Sequence, residues 1–434
     1  MSQADDGARE VGPLPHRSGQ SQQPANGVGQ QAVSLAKAYP VWAIILAAAC
    51  IAGIGMGLRQ AMGLYLLPLS RELQTGRELF AFSVALSNIV WGVAAPFMGA
   101  FSDRYGVGKV VIFGAATSIA GCCCLYLAQS AEMVMLAGVL LGFGVAGTGV
   151  NAVVGAVARA AQPTDRTAAI AAVGMGSGIG ILLFLPYTHV LISAIDWRTS
   201  LLVLAVTIAF VLPLARLVNS APTDAPGNQQ IEPQSMAEAL REASAHRGFW
   251  LLNLGFFVCG FHVVFYGTHL PAYVSDAGLP PTIAVWSLIA VGLGNLIGTY
   301  LAGEWGRVLP KRYGLVLIYA GRAIIFLGFI YLPITATSVI GLSALLGIFW
   351  LSTIPLTSGL VATFFGPRWM TMLYGLVFLS HQLGSFAGVW MAGAVYDALG
   401  SYNLMWWISA GLGVMAALVH LPIDERPVAR LKNA

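Results

Sequence analysis

The chain has 434 residues, of which 57% are hydrophobic and only 9% charged, and its mean hydropathy is +0.76. A water-soluble domain carries about 25% charged residues, so the bilayer must be the solvent for most of this chain. A net charge of +4, with no clustered basic surface, argues against nucleic acid as a partner.

Residues 1–39 are rich in Gln, Gly, Ser and Pro and hold only scattered apolar residues, with no long apolar run. This composition predicts a disordered tail, and its apolar segment starts too late for a cleavable signal. Beyond it, apolar windows of about 20 residues recur, the length that crosses ~30 Å of hydrocarbon. They fall at 41–67, 79–100, 109–129, 133–157, 167–192 and 199–217, then at 249–272, 283–303, 313–333, 337–361, 370–396 and 403–421. A polar linker at 218–248 divides them. Its portion SMAEALREASAHRG predicts a short amphipathic helix on the membrane surface. A polar tail, 423–434, ends the chain. The predicted fold is an all-α membrane protein of twelve transmembrane helices in two six-helix bundles, 40–217 and 249–422.

With twelve spans both termini share one side, and that side carries 17 of the 22 basic residues. The excess of Lys and Arg marks it as cytoplasmic, in a multi-pass protein of a bacterial inner membrane. The halves also echo one another: GAFSDRYGVGK (Gly99–Lys109) follows span 2, and AGEWGRVLPKR (Ala302–Arg312) follows span 8, 203 positions later. Internal repeats of this kind suit a transporter whose halves rock about a central site.

Gly99, Asp103, Arg104, Gly106 and Lys109 form a pattern that resembles the loop 2–3 signature of the major facilitator superfamily. The resemblance covers about residues 40–422. Within that superfamily GLYLLPLSREL (Gly63–Leu73), GSGIG (Gly176–Gly180) and AVYDALGSY (Ala394–Tyr402) are similar to the monocarboxylate and oxalate/formate branch. The resemblance implies a transporter. A monomer with no cofactor is expected, and since no nucleophile–base motif, zinc pattern or phosphate loop is found, an enzyme is not expected. The resemblance also implies that the five signature residues form a cytoplasmic latch. In the second copy Gly306 precedes Arg307 where an acid would stand, so a symmetrical latch is not expected.

Charge placement points to the cargo. Arg59, His262, His269, Arg322 and His381 fall inside spans, whereas no carboxylate does. A buried cation without an acid costs several kcal/mol, and a mobile anion offsets that cost when bound. A small organic anion is therefore the expected substrate, a monocarboxylate by the resemblance. Arg59 is its leading contact, because a guanidinium grips a carboxylate at two points. Arg322, near the cytoplasmic end of span 9, is expected only to anchor.

In FHVVFYGTHLPAY (Phe261–Tyr273), His262, Tyr266 and His269 are spaced i, i+4, i+7 and share one helical face. The resemblance puts span 7 beside the central cavity, so this face is expected to line it. His262 and His269 are candidates to carry a coupled proton, since histidine titrates near neutrality. Gln60, Asn151, Asn295 and Gln382 are candidate hydrogen-bond partners for the substrate. His381 and Gln382 lie near where oxalate/formate relatives carry a basic residue on helix 11. GFGVAG (Gly142–Gly147) fits a dinucleotide pattern but has no preceding strand, so its glycines are read as helix contacts. The five cysteines lack metal-ligand spacing and are read as packing residues. Efflux of drugs or toxic compounds by the same fold, and a non-transporting membrane sensor, are the alternative readings.

Overall fold

The structure is a computed structural model that describes residues 39–161, 166–219, 234–366 and 369–432. Among the described residues, twelve helices are long and apolar enough to cross a membrane. Helices 1 to 6 are Val41–Glu72, Arg77–Gly99, Val107–Tyr126, Ala131–Val157, Ala169–Ala194 and Trp197–Leu217. Helices 7 to 12 are Arg247–Asp276, Pro281–Val308, Lys311–Tyr331, Ala336–Phe365, Met372–Leu399 and Asn403–His420. The even number returns the chain to its starting side, called here the terminal side, and the opposite side is the far side. The N-terminal tail before Tyr39 and linker residues 220–233 lie outside the described residues.

Packing repeats with an offset of six helices. Helix 1 lies on helix 5 as helix 7 lies on helix 11, helix 2 on helix 4 as 8 on 10, and helix 3 on helix 6 as 9 on 12. The two sets meet where helix 2 packs on helix 11, helix 5 on helix 8, and the far end of helix 1 on helix 7. Helix 7 is buried along nearly its whole length.

The far-side ends of the two sets are clamped by charge. Arg77, at the start of helix 2, forks onto the Asp276 carboxylate at the end of helix 7, at 2.5 and 2.6 Å. Its guanidinium also donates to the Tyr402 hydroxyl at 3.0 Å and lies 3.6 Å from the centre of the Tyr396 ring. Asp397 accepts the Arg77 and Glu78 backbone N–H groups, both at 2.8 Å. That carboxylate satisfies orphan donors at the start of helix 2 and sits at the positive end of its dipole. Toward the terminal side the seam is looser, since a side chain added at Gly99, Gly174, Gly303 or Gly375 would meet open space.

Several helices are interrupted inside the membrane. Helix 1 tightens to a 3₁₀ turn at Met62–Tyr65, helix 4 breaks at Gly149, and helix 10 breaks between Ile348 and Thr353. In helix 10 Pro355, which has no N–H to give and whose ring crowds the carbonyl four residues back, stands in the first turn after the break. Hydrocarbon cannot satisfy the freed groups, so neighbouring side chains do. Arg322 of helix 9 donates to Phe349 O at 2.7 and 3.0 Å and also to Trp350 O. Asn295 of helix 8 accepts the Leu351 N–H at 2.9 Å.

Both residues differ from expectation. Arg322 is fully buried rather than an anchor at the membrane surface, and the Asn295 side-chain oxygen is taken up by the break. The spacing along helices 8 and 9 gives no sign of which neighbour will be broken.

Of the latch pattern, Gly106 at φ 94° ends the helical run Arg77–Tyr105, which continues helix 2, in a conformation that glycine adopts freely. Lys109 is exposed, with its ammonium 5.8 Å from the centre of the Tyr105 ring. The side chains of Asp103 and Arg104 lie outside the described residues.

Between the halves, Met236–Ala245 forms a short helix opened by a reciprocal capping box of Ser235 and Glu238. His246 follows and caps helix 7, its Nδ1 accepting the Phe249 N–H at 3.2 Å. Burial pushes the His246 pKa below the ordinary imidazole value, and the nearby Asp424 and Glu242 only partly oppose this. A depressed base stabilises the fold above its unfolded pKa, about 6.5, and that contribution is lost as pH falls from there toward the folded value.

Thermal unfolding should therefore show a melting temperature that drops from pH 7 to pH 5. His246→Asn, which keeps a capping oxygen but does not titrate, should flatten that slope, and an equal slope would contradict the assignment. Arg322→Leu orphans two mid-membrane carbonyls, at about 1–3 kcal/mol each. Its melting temperature in detergent should fall clearly, with Arg322→Lys recovering only part, and a variant melting like the parent would refute the role given to Arg322.

A candidate anion site

Helix 1 is fixed in rotation by its glycines. Gly53 and Gly57 lie against Gly176 and Gly180 of helix 5, and an added Cβ at Gly53 would come within 2.9 Å of Gly176 O. Such small-residue faces let helix backbones meet. At about 100° per residue, Arg59 then points roughly opposite to Gly57, away from helix 5. It enters a cavity of about 630 Å³, open solvent at its mouth included, enclosed by helices 1, 2, 3, 4 and 7.

The cavity wall is mostly apolar, with Leu58, Phe80, Leu141, Val145 and Val264 among its members. Polar groups are few: Arg59 and Gln60 from helix 1, Ser83, Ser87 and Asn88 from helix 2, and Thr268 from helix 7. The two serine hydroxyls are already engaged, donating to Val134 O at 2.6 Å and Val84 O at 2.8 Å. Arg59 Nη2 donates to Asn88 Oδ1 at 2.9 Å, and its guanidinium carbon lies 5.1 Å from the centre of the Trp91 ring. Among the described residues no carboxylate pairs with Arg59. A guanidinium supported only by an amide and an aromatic face retains donors for an incoming anion, and low local dielectric strengthens that attraction.

Of the residues singled out in the sequence, Arg59 and Gln60 reach this cavity together. The face of helix 7 expected to line it does not. His262 Nε2 donates to Ser409 O at 2.9 Å, Tyr266 bonds Ser343 at 2.5 Å, and His269 Nε2 donates to Val389 O at 3.0 Å. His269 Nδ1 accepts from the Tyr402 hydroxyl at 2.9 Å. All three side chains are turned into helices 10, 11 and 12, and Val263, Val264, Gly267 and Thr268 face the cavity instead. The physical reason is that a polar stripe on a buried helix satisfies partners on its own half as readily as it lines a cavity.

The remaining candidates are dispersed. Asn151, just beyond the break in helix 4, is exposed, and Asn295 is committed to helix 10. His381 Nδ1 donates to Gln382 Oε1 at 3.0 Å, and Gln382 Nε2 donates to Asn88 O at 3.0 Å. This pair therefore stands directly behind the Arg59 support. Asn88, Trp91 and Thr268 were not singled out from the sequence. A polar residue in mid-span at 88, with an aromatic at i+3 on the same face, was the available signal for the first two.

Comparison with known proteins agrees with this architecture. Residues 45–389 match the family model described as Major Facilitator Superfamily. An uncharacterized MFS-type transporter, YcxA, of Bacillus subtilis (strain 168) is 24% identical over 399 residues, spanning 87% of this chain and 94% of that protein. Monocarboxylate transporter 11 of Homo sapiens is 25% identical and covers 88% of this chain and 83% of its own length. The oxalate:formate antiporter of Oxalobacter formigenes is 22% identical, covering 90% and 94%. Among solved structures, a D-xylose-proton symporter superposes with a TM-score of 0.69 at 17% identity, covering 89% of this chain and 98% of that one. A bacterial homolog of the human lysosomal transporter Spinster, inward-facing and occupied, gives 0.67 at 14%, covering 87% and 95%. The chain belongs to the major facilitator superfamily.

Proposed function

We propose that the chain is a monomeric secondary active transporter that moves a small monocarboxylate across the bacterial inner membrane by alternating access. Its terminal side is the cytoplasm, as the excess of basic residues there requires. The observation that carries this reading is the Arg59 guanidinium, aimed into a cavity with no acid beside it among the described residues. A single cation among the cavity-lining residues suits one carboxylate rather than two. The apolar remainder of the wall suits a short hydrocarbon body. Similarity to proteins named as monocarboxylate and oxalate:formate carriers supports the same class.

In this conformation the far, periplasmic side is held shut by the Arg77–Asp276 clamp. An anion accompanied by one proton crosses without net charge, so an inward proton gradient drives uptake. His269 is the residue we assign to that proton. The Tyr402 hydroxyl that donates to its Nδ1 also accepts from Arg77. A proton on Nδ1 ends the first hydrogen bond and sets a second positive charge near the clamp. Protonation from the periplasm thus loosens the closure that must open to admit the anion.

Two measurements on the full chain in proteoliposomes test these roles. In a panel of radiolabelled mono- and dicarboxylates, at least one monocarboxylate should accumulate, and Arg59→Gln should cut its uptake tenfold or more, as loss of a charged hydrogen bond implies. Uptake that survives Arg59→Gln, or transport confined to neutral or cationic lipophiles, would overturn the anion reading. An acidic exterior should stimulate the parent but not His269→Gln, and a parent indifferent to the gradient would remove the proton.

A further inference from the structure

The Arg59 guanidinium is held by one short segment of helix 2, and that segment is in turn held by the opposite half of the molecule. Asn88 is almost fully buried, 1% exposed, and every polar group it offers is committed. Its Oδ1 accepts from Arg59 and its Nδ2 donates to Val84 O at 2.8 Å, one turn back on its own helix. Those two bonds fix the amide rotamer, leaving Oδ1 turned toward the guanidinium. Its main-chain oxygen accepts from Gln382 of helix 11. Gln382 is fully buried and is oriented from behind by His381.

One turn along, Trp91 presents its ring to Arg59 and is met edge-on by Phe378 of helix 11, with centroids 5.2 Å apart. Phe378 stacks in parallel on His381, with centroids 5.8 Å apart. Gly92 makes the approach possible, because an added Cβ there would come within 2.8 Å of the Gln382 side chain. The support of the cation is thus a two-helix construction that crosses the seam between the six-helix sets.

We infer that Asn88 is the positioning residue of the anion site, and that through Gln382 the aim of Arg59 depends on how helix 11 packs against helix 2. This rests on Arg59 being the anion contact. Asn88 acts on the anion through Arg59, since its amide groups are taken up by Arg59 and by Val84 O. It orients the charge without neutralising it, which an aspartate of the same shape could not do. Rocking that separates helices 2 and 11 withdraws the backing from Asn88 and Trp91, so affinity for the anion differs between the two faces of the transport cycle. That difference is what a carrier needs in order to release its cargo on one side.

The test uses the full chain in proteoliposomes with whichever radiolabelled monocarboxylate of the panel the parent carries fastest. Asn88→Ala should raise KM about tenfold while Vmax stays within twofold, and Gln382→Ala should shift KM in the same direction by a smaller factor. Asn88→Asp preserves the shape and pairs with Arg59, so it should melt at or above the parent temperature yet lose uptake. An unchanged KM in Asn88→Ala, or parental uptake by Asn88→Asp, overturns the inference. If Arg59→Gln also transports normally, the anion-contact reading fails with it. If Arg59→Gln is inactive while both Asn88 variants behave as the parent, only the positioning role is lost.

Discussion

A positive charge inside a membrane protein, with no negative charge among the described residues to meet it, is the constraint around which this structure is arranged. Arg59 is partly enclosed, in a medium where an uncompensated ion costs several kcal/mol. The protein lowers that cost with neutral groups alone, an amide oxygen and the electron-rich face of an indole. Both leave the charge intact. An aspartate would have stabilised the empty protein better and removed its reason to bind anything. The compensation is therefore incomplete, and on the proposed reading what is left over is available to an anion.

A second buried arginine is met by fixed groups instead. Among the described residues Arg322 also has no carboxylate partner, but its Nε and Nη2 are turned onto the carbonyls of the broken helix 10. Helix-end carbonyls carry the negative pole of the dipole, so the cation is matched by fixed partial charge rather than by a mobile ion. Two buried guanidiniums thus take opposite parts: one fills a structural gap, the other faces an open one. The distinction lies in their neighbours. Nothing in either side chain reveals it.

The fold was highly legible in the sequence. Twelve apolar windows match the twelve helices, with errors concentrated at ends, as where helix 1 runs on to Glu72 instead of stopping near residue 67. Apolar length is a strong signal because hydrocarbon thickness sets it directly. The site was legible only in part. Arg59 and Gln60 stand out as a cation and an amide in an apolar span, and they do reach one cavity. The face carrying His262, Tyr266 and His269 was identified as a polar stripe, but periodicity fixes a face without saying what it faces. Those side chains meet Ser409, Ser343, Tyr402 and Val389, contacts set by the packing of distant helices. Asn88 escaped notice because its importance comes from a residue 29 positions away and another 294 positions away.

The account is tested most directly by locating the anion. A crystal structure of the full chain with a bromine-labelled short-chain monocarboxylate should place the anomalous peak in the cavity beside helices 1, 2 and 7. The carboxylate should lie about 2.7–2.9 Å from Arg59 Nη atoms, as a charged pair requires. A peak elsewhere in the bundle, with Arg59 still bonded only to Asn88, would contradict it.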